Sequence, residues 1–130
     1  MYNAMLNNKV FTYPGAIHIH SLFSDGSGDV YEISKAAQKA GLSWIIITDH
    51  NNFEIPEGVF NDVCVIKGEE ISPKGFNHYL AFGIHSIINP SDNPQLYIDE
   101  VRRQGGFGII AHPDEASSRK NKHKPIKWID

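Results

Sequence analysis

Three short apolar runs constrain this chain more than any other feature: WIIIT (44–48), VCVIKG (63–68) and FGIIA (107–111). Each is too short for a buried helix and rich in β-branched residues. An unbroken run of this kind marks a strand covered on both faces. Helical patterns lie between them. In DVYEISKAAQKAGL (29–42), Asp29 is placed to cap and Glu32 to complete a capping box. Val30, Ile33, Ala37 and Ala40 share one face, and Gly41 stops the helix. In NPQLYIDEVRRQGG (93–106), Leu96, Ile98 and Val101 point to the core. AIHIH (16–20) adds an alternating strand, EEIS extends the second apolar run, and NHYLAFGIH (77–85) reads as a strand. That last strand follows the short turn PKGFN, so it is antiparallel to its predecessor or its hairpin partner. DHNNFEIPEG (49–58) reads as loop. The order predicts an α/β chain with a mostly parallel sheet, in one domain without repeat or linker.

Residues with chemical potential recur where the strands end. His18 and His20 end the first, Asp49 and His50 follow WIIIT, Glu69 and Glu70 follow VCVIKG, and His112 follows FGIIA. In parallel α/β sheets and barrels the carboxyl-end edge is where ligands bind. His78 opens its strand, so it reaches this edge only if that strand runs the other way. Residues i and i+2 of a strand share a face, so His18 and His20 can hold one cation. A phosphate site and a hydrogen-bonded core are the other readings of that pair. Asp49 is a ligand, a carboxylate orienting an imidazole, or a turn former. Glu69 and Glu70 face opposite sides, so one enters the site, where a carboxylate can bridge two cations. The other is expected to be solvated or salt-bridged at the surface. His85 and His123 lie away from strand ends and read as non-ligands, and Asp114 as a supporting or loop residue. Imidazoles and carboxylates without thiolate suit zinc, manganese or iron, and such centres hydrolyse phosphate esters by activating water.

Composition narrows the partners. The 130 residues carry a formal net charge of −3, with 41% hydrophobic and 21% charged residues. That balance disfavours a dedicated nucleic-acid binder, which usually carries a basic excess, and leaves small phosphorylated substrates open. One cysteine, Cys64, cannot form an internal disulfide and reads as a small buried hydrophobe. The start of the chain shows no signal-peptide pattern and no run approaches a membrane span, so the cytoplasm is the expected location. The basic segment RKNKHK (119–124), with Arg119 at its head, reads as a loop for a substrate phosphate or as a solvated surface. Arg102 and Arg103 read as surface residues.

HIHSLFSDG, TDH, GEEIS, NHYLAFG and AHPD, in this order from Ala16 to Asp114, resemble the PHP domain, named for polymerase and histidinol phosphatase. The resemblance implies a distorted (β/α)7 barrel with a site of two or three divalent metal ions. It also implies a metal-dependent phosphoesterase acting on a small phosphate ester, a nucleotide or sugar phosphate, through a metal-bridging hydroxide. Some members are attached to bacterial replicative DNA polymerases. By the same resemblance His18 and His20 hold the first metal, Glu70 bridges it to a second, and His78 and His112 complete the second. Asp25 and His50 hold a third, and Asp49 is a catalytic residue that supports rather than ligates. The late Asp-x-His motif that closes the family's site does not occur after His112. A barrel of this kind usually takes roughly 200 residues or more. The expectation is therefore a partial barrel over residues 1–130, with the first four or five strands and no C-terminal wall. Its open edge invites a homo-oligomer. The alternative function is a catalytically incomplete module that binds metal or anions.

Overall fold

The computed structural model describes residues 10–113. Six strands and two helices follow in the order β1 (Gly15–Ile19), α1 (Val30–Lys39), β2 (Trp44–His50), β3 (Gly58–Phe60), β4 (Val63–Ile71), β5 (Tyr79–Phe82), α2 (Pro94–Arg103) and β6 (Phe107–Ile110). The strands form one sheet ordered β1-β2-β4-β5-β6, with β3 paired to β4 off this path. β1–β2 and β2–β4 are parallel, whereas β3–β4, β4–β5 and β5–β6 are antiparallel. The sheet is thus mixed rather than mostly parallel, and has one strand more than expected. Two connections explain the difference. The segment between β4 and β5 is too short for a crossover, so β5 must turn back. Asn61 and Asp62 take positive φ values of 49° and 61° between β3 and β4, which closes a two-residue hairpin inside the stretch expected as loop and strand.

Both helices form as the sequence predicts. Asp29 accepts from the main-chain N–H groups of Tyr31 and Glu32, and the Glu32 side chain returns to the Asp29 N–H. Ala40 caps the end, with Gly41 at φ 76°. α1 buries Val30 and Ala37 against Ile45, Ile47, Val63 and Val65 of β2 and β4. The valine and isoleucine side chains each contribute about 1.5–3 kcal/mol when fully buried, and the Ala37 methyl less. α2 covers the next part of the same sheet face through Tyr97 and Val101, against Ile71, Tyr79 and Ala81. Leu96, expected in the core, is exposed, and Tyr97 takes that place. Cys64 is exposed as well, because it alternates with buried Val63 and Val65 along β4. Arg102 and Arg103 are at the surface, as expected.

On the other face of the sheet Ile46 packs with Leu80, Phe82 and Ala111. Register puts His50 beside Glu70, and Glu70 beside Leu80, on this same face. Because β5 runs against β4 and β6, its beginning meets the ends of β2, β4 and β6 at one edge. Arg119, Asp114 and His123 lie outside the described residues. No helix among the described residues is long and apolar enough to cross a membrane.

Candidate metal centre

Glu70 stands at the middle of the strand-end edge, with no exposed surface. Five imidazoles surround its carboxylate. His18 Nε2 and His20 Nε2 lie 3.2 Å from Oε2, and His50 Nδ1 lies 3.1 Å from it. His78 Nδ1 and His112 Nε2 each lie 3.0 Å from Oε1. Asp25, largely exposed on the β1–α1 loop, faces the cluster from outside. Its carboxylate lies 3.6 Å from His20 Nδ1 and 3.7 Å from His50 Nε2. Every metal ligand read from the sequence therefore comes to one place.

Each donor arrives by a different device. His50 ends β2 and Glu70 lies next to the last residue of β4, so parallel register alone puts them side by side. His78 precedes β5 and reaches the edge because that strand is reversed. His18 and His20 do not converge through regular alternation. The register of β1 against β2 is broken between Ala16 and Ile19, and His18 sits in the left-handed region at φ 63°. A bulge of this kind re-aims a side chain. His112 is also left-handed, at φ 32°. Such backbone costs on the order of 1–3 kcal/mol per residue and clusters at functional sites. Asn77, 3% exposed, clamps the second of these: its Nδ2 donates to the main-chain oxygens of His112 and Pro113, at 3.1 and 3.3 Å.

The electrostatics fit a cation. Burial would raise the Glu70 pKa, but the His78 hydrogen bond and the nearby imidazoles outweigh it and hold it at about 2. The carboxylate is therefore ionised across the neutral range. Burial lowers the pKa of His50, against the pull of Glu70, and its neighbours His20 and His78 lower it further. A neutral imidazole is the ligating form. Oε2 of Glu70 is buried and accepts no hydrogen bond, although three ring nitrogens stand within 3.2 Å. A bare buried carboxylate oxygen is a costly arrangement, and a divalent cation held beside it by the surrounding imidazoles would satisfy it. Donor atoms close enough to share an ion fall into two groups, His18–Glu70–His112 and His20–His50–Glu70, with Glu70 common to both. This sharing matches the bridging role expected of Glu70. The partition differs from the expected one, because His18 groups with His112 rather than with His20. The all-nitrogen-and-oxygen donor set suits zinc, manganese or iron.

Asp49 occupies the opposite face of β2 from His50. It is 1% exposed and accepts from Ser21 N (2.7 Å), Ser21 Oγ (2.6 Å) and Ser24 Oγ (2.5 Å). Its oxygens thus hold the β1–α1 loop, and it reaches His20 only through Ser24, whose Oγ is 3.4 Å from His20 Nδ1. The catalytic role expected of Asp49 thus has no direct contact with Glu70 or its imidazoles behind it, only these bonds to the loop. Glu69 corrects another expectation. It points away from Glu70 as alternation requires, but it is fully buried instead of solvated. One oxygen accepts from Ile88 N at 2.8 Å, and Oε1 has no partner. His85 is exposed and outside the cluster. Ser21, Ser24, Ser72 and Asn77 were not singled out from the sequence. The two serines flanking LF in HSLFS offered the only signal, and serine there reads equally well as a turn former.

Known proteins are similar to this chain to different extents. The family model described as PHP domain matches residues 16–126. A probable histidinol-phosphatase from Thermotoga maritima is 32% identical over 125 residues, covering 75% of this chain and 53% of that protein. The chain thus spans about half the length of that relative. An uncharacterised protein from Methanocaldococcus jannaschii is 26% identical, covering 75% of this chain and 66% of its own length. The DNA polymerase/3'-5' exonuclease PolX of Bacillus subtilis is 25% identical over 89% of this chain, which corresponds to 20% of that protein. Among solved structures, a two-domain Bacteroides vulgatus protein containing a predicted PHP-like metal-dependent phosphoesterase superposes with a TM-score of 0.63. It is 23% identical and covers 86% of this chain and 38% of its own, which supports the fold. With five histidines gathered on one buried glutamate and a family match across residues 16–126, this chain belongs to the PHP domain family.

Proposed function

We propose that this chain carries the metal centre of a phosphoesterase that hydrolyses a small phosphate ester, a nucleotide or sugar phosphate. The observation that carries the reading is Glu70 Oε2, buried, without a hydrogen bond, and ringed by nitrogens of His18, His20 and His50. Divalent ions bound here would bring the pKa of water from 15.7 down toward about 7 and neutralise phosphoryl oxygens. The chain's own residues do the rest. Glu70 joins the two donor groups, with His18 and His112 on one side and His20 and His50 on the other. His78 fixes the Glu70 carboxylate through Oε1. Asp25 stands at the exposed side of His20 and His50, where a third ion or the incoming ester would meet the site. Asp49 holds the loop that carries Asp25. A net charge of −3 supports a small ester over nucleic acid as the substrate.

The test is hydrolysis of a generic aryl phosphate by the full chain with manganese or zinc added, against His18→Ala as control. Turnover lost in the variant supports the reading. Turnover that survives it contradicts the reading, and so does a wild-type chain that binds the ions without turnover.

A further inference from the structure

The Ser72 hydroxyl has a single proton and two partners within reach. Ser72 Oγ lies 2.9 Å from the main-chain oxygen of Glu70, which can only accept. His50 Nδ1 lies 2.6 Å from the same Oγ. A proton on the Glu70 oxygen side of Ser72 together with one on His50 Nδ1 satisfies both contacts at once, whereas a hydroxyl that donated to the ring would leave the oxygen–oxygen contact without a proton. A neutral imidazole carries one N–H, which leaves the lone pair on Nε2, the nitrogen that faces Asp25. Ser24 repeats the arrangement. Its proton goes to the Asp49 carboxylate at 2.5 Å, so its 3.4 Å contact with His20 Nδ1 is donated by the ring. The His20 lone pair is then on Nε2, 3.2 Å from Glu70 Oε2.

We propose that Ser72 and Ser24 are positioning residues that hold His50 and His20 as Nδ1–H tautomers, so that the His20 Nε2 lone pair faces the cation position at Glu70 and the His50 Nε2 lone pair faces the one at Asp25. The role toward the cation rests on the metal-centre reading above. Hydroxyl and carbonyl partners on the distal ring nitrogen are how metal-binding histidines are oriented in general. Here the two serines use different acceptors to the same end. One is anchored by a side chain of β2 and the other by the backbone of β4.

Ser72→Ala is the informative variant, because the Ser72 backbone is held independently of its hydroxyl. Ser72 N donates to Asn51 Oδ1 at 2.8 Å, and Asn51 Nδ2 donates to Ser72 O at 3.1 Å. The experiment is long-range proton–nitrogen correlation NMR of the chelator-treated full chain, labelled at histidine nitrogen, followed by zinc titration calorimetry. The wild type is expected to show Nδ1–H at His50 and His20. Ser72→Ala should turn His50 into a tautomer mixture and weaken zinc binding by about 10–100-fold, and Ser72→Thr, which keeps a hydroxyl, should restore both. His50 found as Nε2–H in the wild type, or unchanged in Ser72→Ala, overturns the tautomer assignment while zinc binding still supports the metal centre. Nδ1–H tautomers in a wild-type chain that takes up no zinc overturn the metal-centre reading, and with it the role assigned to the serines.

Discussion

Glu69→Gln isolates the most unusual carboxyl outside the centre. Glu69 has no exposed surface, one hydrogen bond from Ile88 N, and an unpartnered Oε1. Burial pushes its pKa from 4.5 up to about 7, against the opposing pull of the Ile88 bond. In the unfolded chain it would titrate at its ordinary value. Below about pH 4.5 both states hold the proton, and the group makes no difference to stability. Between about 4.5 and 7 the unfolded chain has released the proton while the folded chain keeps it, so stability falls as pH rises. Above about 7 the loss is complete and constant. At about 1.4 kcal/mol for each pH unit, the loss amounts to about 3 kcal/mol, a large share of the roughly 5–15 kcal/mol that holds a domain folded. Glutamine keeps an oxygen for Ile88 N–H and has nothing to ionise. Urea unfolding of both proteins with a chelator, from about pH 4.5 to pH 8, measures the difference, and the histidines common to both cancel. Relative to wild type, the variant should gain about 3 kcal/mol across that interval. A difference that stays flat to within about 0.5 kcal/mol refutes the reasoning, because it would mean that the buried carboxyl is no harder to ionise than a solvated one.

Glu70→Gln removes the one anion shared by both donor groups, so zinc affinity measured by titration should fall by more than the roughly 10–100-fold of an outer-shell change. Held at about 2, the Glu70 carboxylate also gives stability that is present above about pH 4.5 and lost as pH falls toward 2. The same variant should therefore unfold with a flatter acid limb. Asp49→Asn takes a charged acceptor from the donors of Ser21 and Ser24. Its urea midpoint should drop by the equivalent of at least about 1.5–3 kcal/mol, with faster amide exchange at Ser21. Gly26→Ala would drive a Cβ into the main-chain oxygen of His20. The loop bearing Asp25 must then move away, which should cost about 1–3 kcal/mol and lower the affinity for the ion nearest Asp25 in the same titration.

The core elements were legible because their signals are local. An unbroken β-branched run, a capping box and a stop glycine each act within a few residues, and β2, β4, α1 and α2 form as those signals require. The candidate donors other than Asp25 were legible because each lies at or beside a strand terminus, and the reversal of β5 brings His78 to the edge the others share. What was not legible depends on tertiary placement. Pairing direction at β5 follows from a short connection whose partner strand the sequence does not name. The left-handed backbone at His18 and His112 has no decisive residue signature, since positive φ is uncommon for any non-glycine residue even though histidine is among those enriched there. Glu69 was misjudged because a glutamate next to an apolar run reads as solvated, and only the cover formed by α2 and the segment at Ile88 shows that it is buried. Ser24 and Ser72 escaped notice because a hydroxyl that orders an imidazole looks the same in sequence as one that caps a turn.

The most direct test of the central claim is the metal content of the purified full chain by elemental mass spectrometry, after zinc, manganese or iron loading and removal of free ions. The account predicts two ions per chain on the donor groups that share Glu70, with a third held more weakly at Asp25, and content falling below one in Glu70→Gln. A wild-type chain that retains no more metal than Glu70→Gln would contradict it.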